Sequence, residues 1–314
     1  MNEFAPTPPP EVRIDGALVT TLLKEQHPDL AHLPLGDRHE GWDNVTWRLG
    51  DDLAVRLPRR AIASTLVATE LAWLPRVGRD WPFRAPLAVR IGDPSASYPW
   101  HWSVVPWIEG HLAFDEPLSA LGARDLGLAL AALHQPAPAD APINPFRSSP
   151  LSERLDRARA RIDALASQQS THPAPNGAVL DVDAAEALIR RGARGPRPER
   201  VCAHLDLHGQ NVITADGRLS GIIDWGDAGA GDRATDLGQA YVLLGPSLWR
   251  VMVEAYGGVT RATRERAKAE AVAYAVTLAT MTDGPYAACG WDALVSLGVA
   301  ALSTSGDPTP PDAS

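Results

Sequence analysis

The spacing of apolar positions changes along the chain. Thr46–Gly50 and Leu53–Pro58 are short runs of β-branched and apolar residues, and the turn Gly50-Asp51-Asp52 between them predicts two paired strands. From Ala61 to Leu74 the pattern lengthens to a helical period, with Ile62, Leu66, Thr69 and Trp73 on one face and Pro75 as the expected stop. Tyr98–Ile108 is aromatic and β-branched and reads as a strand, and Leu118–His134 reads as an apolar helix. Leu151, Leu155, Ala158, Ile162 and Leu165 predict a helix over 151–166. A loop over 167–177 and a second helix over 182–191 follow. Val201–Ala203 and Leu219–Ile223 read as short buried strands, and beyond Asp236 the pattern is mostly helical. A strand-rich first third followed by a helix-rich remainder predicts an α+β chain of two lobes, and a cleft between lobes is a common ligand site.

Composition removes several classes. With 38 acidic and 29 basic side chains the formal charge is −9, which argues against sequence-independent nucleic-acid binding. Cys202 and Cys289, the only cysteines, cannot build a disulfide framework or a cysteine zinc site. The longest weakly polar stretch, 269–279, is too short to span a bilayer, and residues 1–10 lack the basic start and apolar core of an export signal. No membrane partner is expected, and the cytoplasm is the expected location.

The chemistry concentrates in one stretch. His204-Leu205-Asp206-Leu207-His208-Gly209-Gln210-Asn211 places a carboxylate and a carboxamide five positions apart. Val212–Thr214 and Leu219–Ile223 then predict a hairpin turning at Asp216-Gly217. That hairpin returns the chain to Ile223-Asp224-Trp225-Gly226 beside Asn211. Asn211 and Asp224 would offer two oxygen ligands to a hard cation such as Mg²⁺, and Asp206 is left to orient or deprotonate a hydroxyl. Taken singly, each of these residues could be an ordinary turn or cap residue. The joint pattern points to phosphoryl transfer.

The segment from His204 to Gly238 resembles the signature of the aminoglycoside phosphotransferase family, whose fold is protein-kinase-like. The family's catalytic loop, H-G-D-x-H-x-x-N, stands here with Leu205 in place of the usual Gly. Its later G-D-P-x-x-D-L element stands as Gly231 to Leu237, with Arg233 in place of Pro. The resemblance implies an N-lobe over 11–105, a hinge over 106–110 and a helical C-lobe over 111–302 carrying an acceptor-binding insert at about 137–200. Residues 1–10 form a loose arm, and the tail 303–314, rich in Ser, Pro, Asp and Thr, is expected to be disordered.

By the same resemblance, Gly41–Leu49, with Asn44, is the nucleotide-covering hairpin, and Arg56 presents a cation to the nucleotide phosphates. Glu70, 14 residues after Arg56, is its expected partner on the following helix. Pro106 has no backbone N–H, so hinge donors to the nucleotide base are expected from neighbours such as Trp107. His204, His208 and Asp236 are expected to brace the catalytic loop, and His134 to close a helix end near the core. Asp227, Glu254 and Asp283 are candidate acceptor contacts.

The implied function is transfer of the γ-phosphoryl group of Mg-bound ATP or GTP to a hydroxyl of an antibiotic-like acceptor, first an aminoglycoside, with Asp206 as base. Alternatives are a macrolide kinase, a metabolic kinase of an amino alcohol, sugar or amino acid hydroxyl, and a non-catalytic nucleotide-binding module. A protein kinase does not fit, because no Ala-Pro-Glu activation segment follows Asp224.

Overall fold

A computed structural model describes residues 9–195, 197–281 and 285–302. Residues 1–8 of the predicted arm, the predicted tail and Asp283 lie outside the described residues.

The chain opens with a helix that periodicity alone did not announce. Helix α1 (Gly16–Gln26) starts where the Asp15 carboxylate accepts the Leu18 N–H, and it buries Val19, Leu22 and Leu23. Strands β1 (Leu35–Glu40), β2 (Asn44–Leu49) and β3 (Leu53–Pro58) follow as an antiparallel meander. Strand β1 was not foreseen because nearly all of its side chains are polar and exposed. Helix α2 (Ala61–Val77) runs through Pro75 instead of stopping before it. Trp73 and Leu74 are buried at that end, and the Gly78 N–H still closes on Leu74 O, so packing holds one further turn. Strands β4 (Arg90–Gly92) and β5 (Trp102–Pro106) complete a five-stranded sheet of order β1-β2-β3-β5-β4. Strand β5 is shorter than the predicted 98–108, but Tyr98, Trp102 and Val104 are fully buried beneath the sheet with α1.

The rest of the chain is helical around small sheets. Strand β6 (His111–Leu112) and helix α3 (Ala120–Leu133) come first. The helix predicted over 151–166 is divided into a 3-10 turn at Leu151–Glu153 and α4 (Leu155–Gln168). Strand β7 (Ala178–Leu180), α5 (Val182–Gly192) and β8 (Val201–Ala203) lead to the hairpin β9 (Val212–Ala215) and β10 (Arg218–Ile222). Strand β11 (Gly229–Gly231) pairs with β8, and α6 (Arg233–Ala255), α7 (Arg261–Ala279), α8 (Tyr286–Ser296) and β12 (Ala300–Leu302) end the fold. The chain is thus an α+β protein with a β-rich N-lobe and a helical C-lobe, as the apolar pattern predicted. Among the described residues no helix is long and apolar enough to cross a membrane.

Two hydrophobic clusters correspond to the lobes, and the end of α2 packs into the larger one. Trp73 and Leu74 belong to the larger C-lobe cluster although α2 follows an N-lobe strand. Trp81 and Phe83 then stack on Trp225 at centroid distances of 4.6 and 6.1 Å. The Ile222 N–H donates to Arg84 O at 3.0 Å. Below the hinge the backbones are close. A Cβ on Gly110, at φ 132°, would lie 2.2 Å from Thr214 O, so only glycine fits there.

Candidate active site

The catalytic-loop segment is held from beneath by α6. Asp236, fully buried, accepts the His204 N–H at 2.8 Å and the Leu205 N–H at 2.7 Å. His134 Nε2 lies 3.0 Å from the same carboxylate, so the helix-end histidine is part of the brace. Gln239, one helical turn further on, accepts the Leu207 N–H at 2.8 Å and donates to Leu205 O at 2.9 Å. His204 Nδ1 accepts the Asp206 N–H at 3.2 Å, so its Nε2 carries the proton and donates to Ile223 O at 3.0 Å. Burial holds the His204 imidazole below its usual pKa and hence neutral, which that arrangement requires.

Leu205 accounts for the glycine expected in its place. Its φ is 68°, in the left-handed region that costs an ordinary residue about 1–2 kcal/mol. The side chain is fully buried and packs with Val201 and Ala203 against Gly231. Burial of a leucine stabilises by about 1.5–3 kcal/mol, and the bonds to Asp236 and Gln239 pin the backbone. The conformation the motif needs is therefore kept without glycine.

The hairpin returns the chain beside Asn211, as expected. The Ile223 N–H donates to Asn211 O at 2.9 Å, setting Asp224 next to Asn211. Asn211 Nδ2 donates to Asp206 O at 2.8 Å, so the atom Asn211 can offer a cation is Oδ1. Asp224 also has a positive φ, 61°. The Trp225 N–H beyond it donates to Glu70 Oε2 at 3.1 Å. A Cβ on Gly226 would lie 2.9 Å from Leu66 Cβ, so glycine lets α2 press against this turn. Arg56 and Glu70 form a buried ion pair, and Arg56 Nη2 reaches to 3.8 Å from Asp224 Oδ1. The pairing implied by the resemblance is present in the geometry.

The two acids differ electrostatically. The Asp206 carboxyl is held far below the usual carboxylate range; burial opposes this, and Arg147 beside it outweighs burial, with His208 adding. Asp224 is pushed up to about 7, first by loss of solvent at the cleft wall and against the pull of Arg56, with Glu70, Asp206 and Asp43 adding. Asp43, at the hairpin tip, is itself raised by burial despite its 2.6 Å ion pair with Arg60, and Asp227 and Asp206 contribute.

The remaining candidates divide. Asp227 is in the site: Asn144 Nδ2 donates to its Oδ1 at 2.5 Å, and Arg147 Nη2 lies 3.6 Å from its Oδ2. Asn44 begins β2, and its buried Oδ1 has no hydrogen-bond partner among the described residues, leaving an open acceptor in the β1–β2 hairpin. Trp107 departs from expectation. Its backbone N–H donates to Asp52 O at 2.7 Å, so it is not open to a nucleotide base, and its ring lies under the Arg48 guanidinium at 4.9 Å. Glu254 is exposed on the last turn of α6, and none of its contacts reach the catalytic loop among the described residues. Asn144, Arg147 and Asp43 were missed. The run Asn144-Pro145-Phe146-Arg147 carries a turn signal, but only tertiary packing brings it 60 positions along the chain to Asp206. An aromatic group also flanks Asp206: His208, Phe114 and Tyr286 have centroids 5.2–6.4 Å apart, and His208 Nε2 lies 3.6 Å from Asp206 Oδ2.

Among the described residues no cluster of three or more His, Cys, Asp or Glu could hold a metal by itself. A carboxylate and a carboxamide oxygen suit a Mg²⁺ ion that takes its other ligands from phosphate and water. Asp224, crowded by acids and 3.8 Å from its nearest cation, fits that use.

This arrangement of strand cation, helix glutamate, loop aspartate and turn aspartate is that of a protein-kinase-like fold. The sequence model of the phosphotransferase enzyme family matches residues 37–271, and the chain belongs to that family. No curated protein matches the chain. Solved structures share the fold. A GDP complex of a mutant aminoglycoside 2'-phosphotransferase-IIIa is 18% identical, covering 90% of this chain and 97% of that one at a TM-score of 0.64. The GDP and kanamycin complex of APH(2")-IIIa is 19% identical, with 89% and 98% covered and a TM-score of 0.58. The apo macrolide 2'-phosphotransferase MphH from Brachybacterium faecium is 19% identical, with 88% and 97% covered and a TM-score of 0.56.

Proposed function

We propose that the protein phosphorylates a hydroxyl of an antibiotic-like small molecule, using a nucleoside triphosphate, ATP or GTP, bound between the lobes. The observation that carries the reading is the convergence in one cleft of Asp206, Asn211, Asp224 and the Arg56–Glu70 pair. Arg56, kept in place by Glu70, grips phosphate oxygens; its fork and permanent charge suit that task. Asn211 Oδ1 and Asp224 would hold Mg²⁺, which when bound neutralises phosphate charge. Asp206 aligns the acceptor hydroxyl and takes its proton as the O–P bond forms. In a loose phosphoryl-transfer transition state such alignment, with charge neutralisation, makes up most of the catalysis.

A macrolide acceptor is favoured over an aminoglycoside by the surroundings of the base. Asp227 and Asp206 are both turned to Arg147, and Asp43 to Arg60, so these acids are already paired. His208, Phe114 and Tyr286 pack into an aromatic group beside Asp206 instead. A polycation would need unpaired carboxylates; an apolar lactone ring would not.

The test is turnover of ATP and GTP with Mg²⁺ across macrolides, aminoglycosides and amino alcohols. Acceptor-dependent turnover that Asp206→Ala lowers at least about 1,000-fold supports the reading. Absence of turnover with every acceptor, together with unchanged Mg-nucleotide affinity in Asp224→Ala, overturns it. Preferential phosphorylation of an aminoglycoside would refute the acceptor assignment alone.

A further inference from the structure

We propose that Arg147 is a positioning residue for the catalytic carboxylate: the insert supplies a cation that holds Asp206 Oδ1 and leaves Oδ2 to face the acceptor. The assignment rests on the phosphotransferase reading, which makes Asp206 the base.

The geometry is specific. Arg147 Nη1 donates both to Asp206 Oδ1 and to Leu205 O, the latter at 2.9 Å, and Nη2 lies 3.6 Å from Asp227 Oδ2. One planar guanidinium thus meets three oxygens from three residues, which a lysine ammonium on a flexible stem would not reproduce. Among the described residues the opposite oxygen, Oδ2, has only His208 Nε2 at 3.6 Å. Without the arginine, Oδ1 would lose the donor that fixes the rotation of the carboxylate about its last bond.

Arg147 is itself presented by a built turn. Asn144 is 8% exposed, and its Oδ1 accepts the Phe146 and Arg147 N–H groups at 2.9 and 3.0 Å. The Asn144 N–H donates to Ser148 Oγ at 2.8 Å, and the Ser148 N–H returns to Asn144 O at 3.1 Å. Asn144 Nδ2 and Arg147 Nη2 both address Asp227, so one acid anchors the turn and the cation it presents. Upstream, Pro142 O accepts the Ala230 N–H at 2.8 Å and occupies the space a Cβ on Gly229 would need. The turn is thereby fixed to the strand that follows Asp227.

A cation on the base weakens it as a proton acceptor, so the benefit must be orientation. Phosphoryl transfer tolerates that exchange, since its transition state asks the base for alignment more than for basicity. Preorganisation of this kind requires a second set of contacts holding the aligning group, and Asn144 and Asp227 supply it.

The experiment is a cycle of Arg147→Met and Arg147→Lys in the wild-type and Asp206→Asn backgrounds. Turnover is followed with Mg-ATP and Mg-GTP, with the best acceptor and with water alone, and urea unfolding midpoints are taken on the same proteins in both backgrounds. Arg147→Met is expected to lower kcat about 10- to 100-fold with the nucleotide KM within about twofold, and Arg147→Lys to recover part of the loss. In Asp206→Asn the same change should cost no further turnover. An unchanged or raised kcat in Arg147→Met, or equal losses in both backgrounds, overturns the proposal. If no form turns nucleotide over with any acceptor and Asp224→Ala leaves Mg-nucleotide affinity unchanged, the phosphotransferase reading falls, while the unfolding cycle still decides the pairing. A smaller midpoint loss from Arg147→Met in Asp206→Asn supports it, and additive losses overturn it.

Discussion

The segments that carry Asp206 and Asp224 lie side by side at the two ends of one hairpin, yet they are constructed in opposite ways. The Asp206 loop has Asp236, Gln239, His204 and Arg147 bonded to its backbone or its carboxylate, and the Asp206 side chain is 18% exposed. The Asp224 turn is fixed by its flanks, through the Trp225 N–H and the stack on Trp81, while its carboxylate stands 44% exposed with a cation only at 3.8 Å. One acid is kept ionised by a partner already present; the other is crowded by like charges and suited to a partner still to arrive. A site that must position one group and recruit another separates those tasks between two backbones.

Breaking the braced side should have the largest effect. Asp236→Ala leaves two buried N–H groups and His134 without their acceptor, and should cost about 3–5 kcal/mol in urea unfolding. The Asp236 carboxyl is held below its usual value by His134, chiefly, and by His204. Its stabilisation is therefore complete above the unfolded carboxylate pKa of about 3.9 and lost as pH falls through the folded value. The stability gap between wild type and Asp236→Asn should narrow on acidification below about pH 4; a gap that widens would contradict the assignment.

Leu205 tests the same loop at smaller cost. Leu205→Ala should lose about 2–5 kcal/mol through the cavity it leaves. Glycine is ordinarily about 0.5–1 kcal/mol worse than alanine inside regular structure. At φ 68° that order should reverse, so Leu205→Gly should unfold at the same or a higher urea midpoint than Leu205→Ala.

The smallest effect belongs to the unbraced side. Asp224→Asn removes a charge facing Glu70, Asp206 and Asp43 and keeps a residue that tolerates positive φ. Because the folded pKa is raised to about 7, the wild type loses stability as pH climbs from the unfolded value through 7. The variant should gain on wild type over that range, by less than about 1 kcal/mol given the exposure of the group. Mg-nucleotide affinity should fall in the same variant, so a stability gain accompanied by unimpaired binding would separate Asp224 from the cation.

Much of this site was legible in the chain because its parts are local. His204 to Gly226 is a loop, a hairpin and a turn, and short-range rules locate Asp206, Asn211 and Asp224 together. The Arg56–Glu70 pairing was implied by the resemblance, and it is present because the strand and helix that carry it are adjacent in sequence. What was not legible depends on distant packing. Arg147 reaches Asp206 only because the insert folds back along β11, and no periodicity reports that. Trp107 reads as a hinge donor until the β2–β3 turn is found to occupy its N–H. Helix α1 was detectable from the Asp15 cap alone, and β1 hardly at all, since an exposed polar edge strand has no alternating pattern to read.

The bond from the Trp225 N–H to Glu70 spans 155 residues of sequence. A ribosome adding about 5–20 residues per second needs roughly 8–30 s to cover that distance. Throughout that interval Arg56 and Glu70 can already meet, while the turn bearing Asp224 has not been made. During synthesis, then, the Arg56–Glu70 pair leaves the ribosome well before Asp206 and Asp224, and the bond from Trp225 to Glu70 can close only after both.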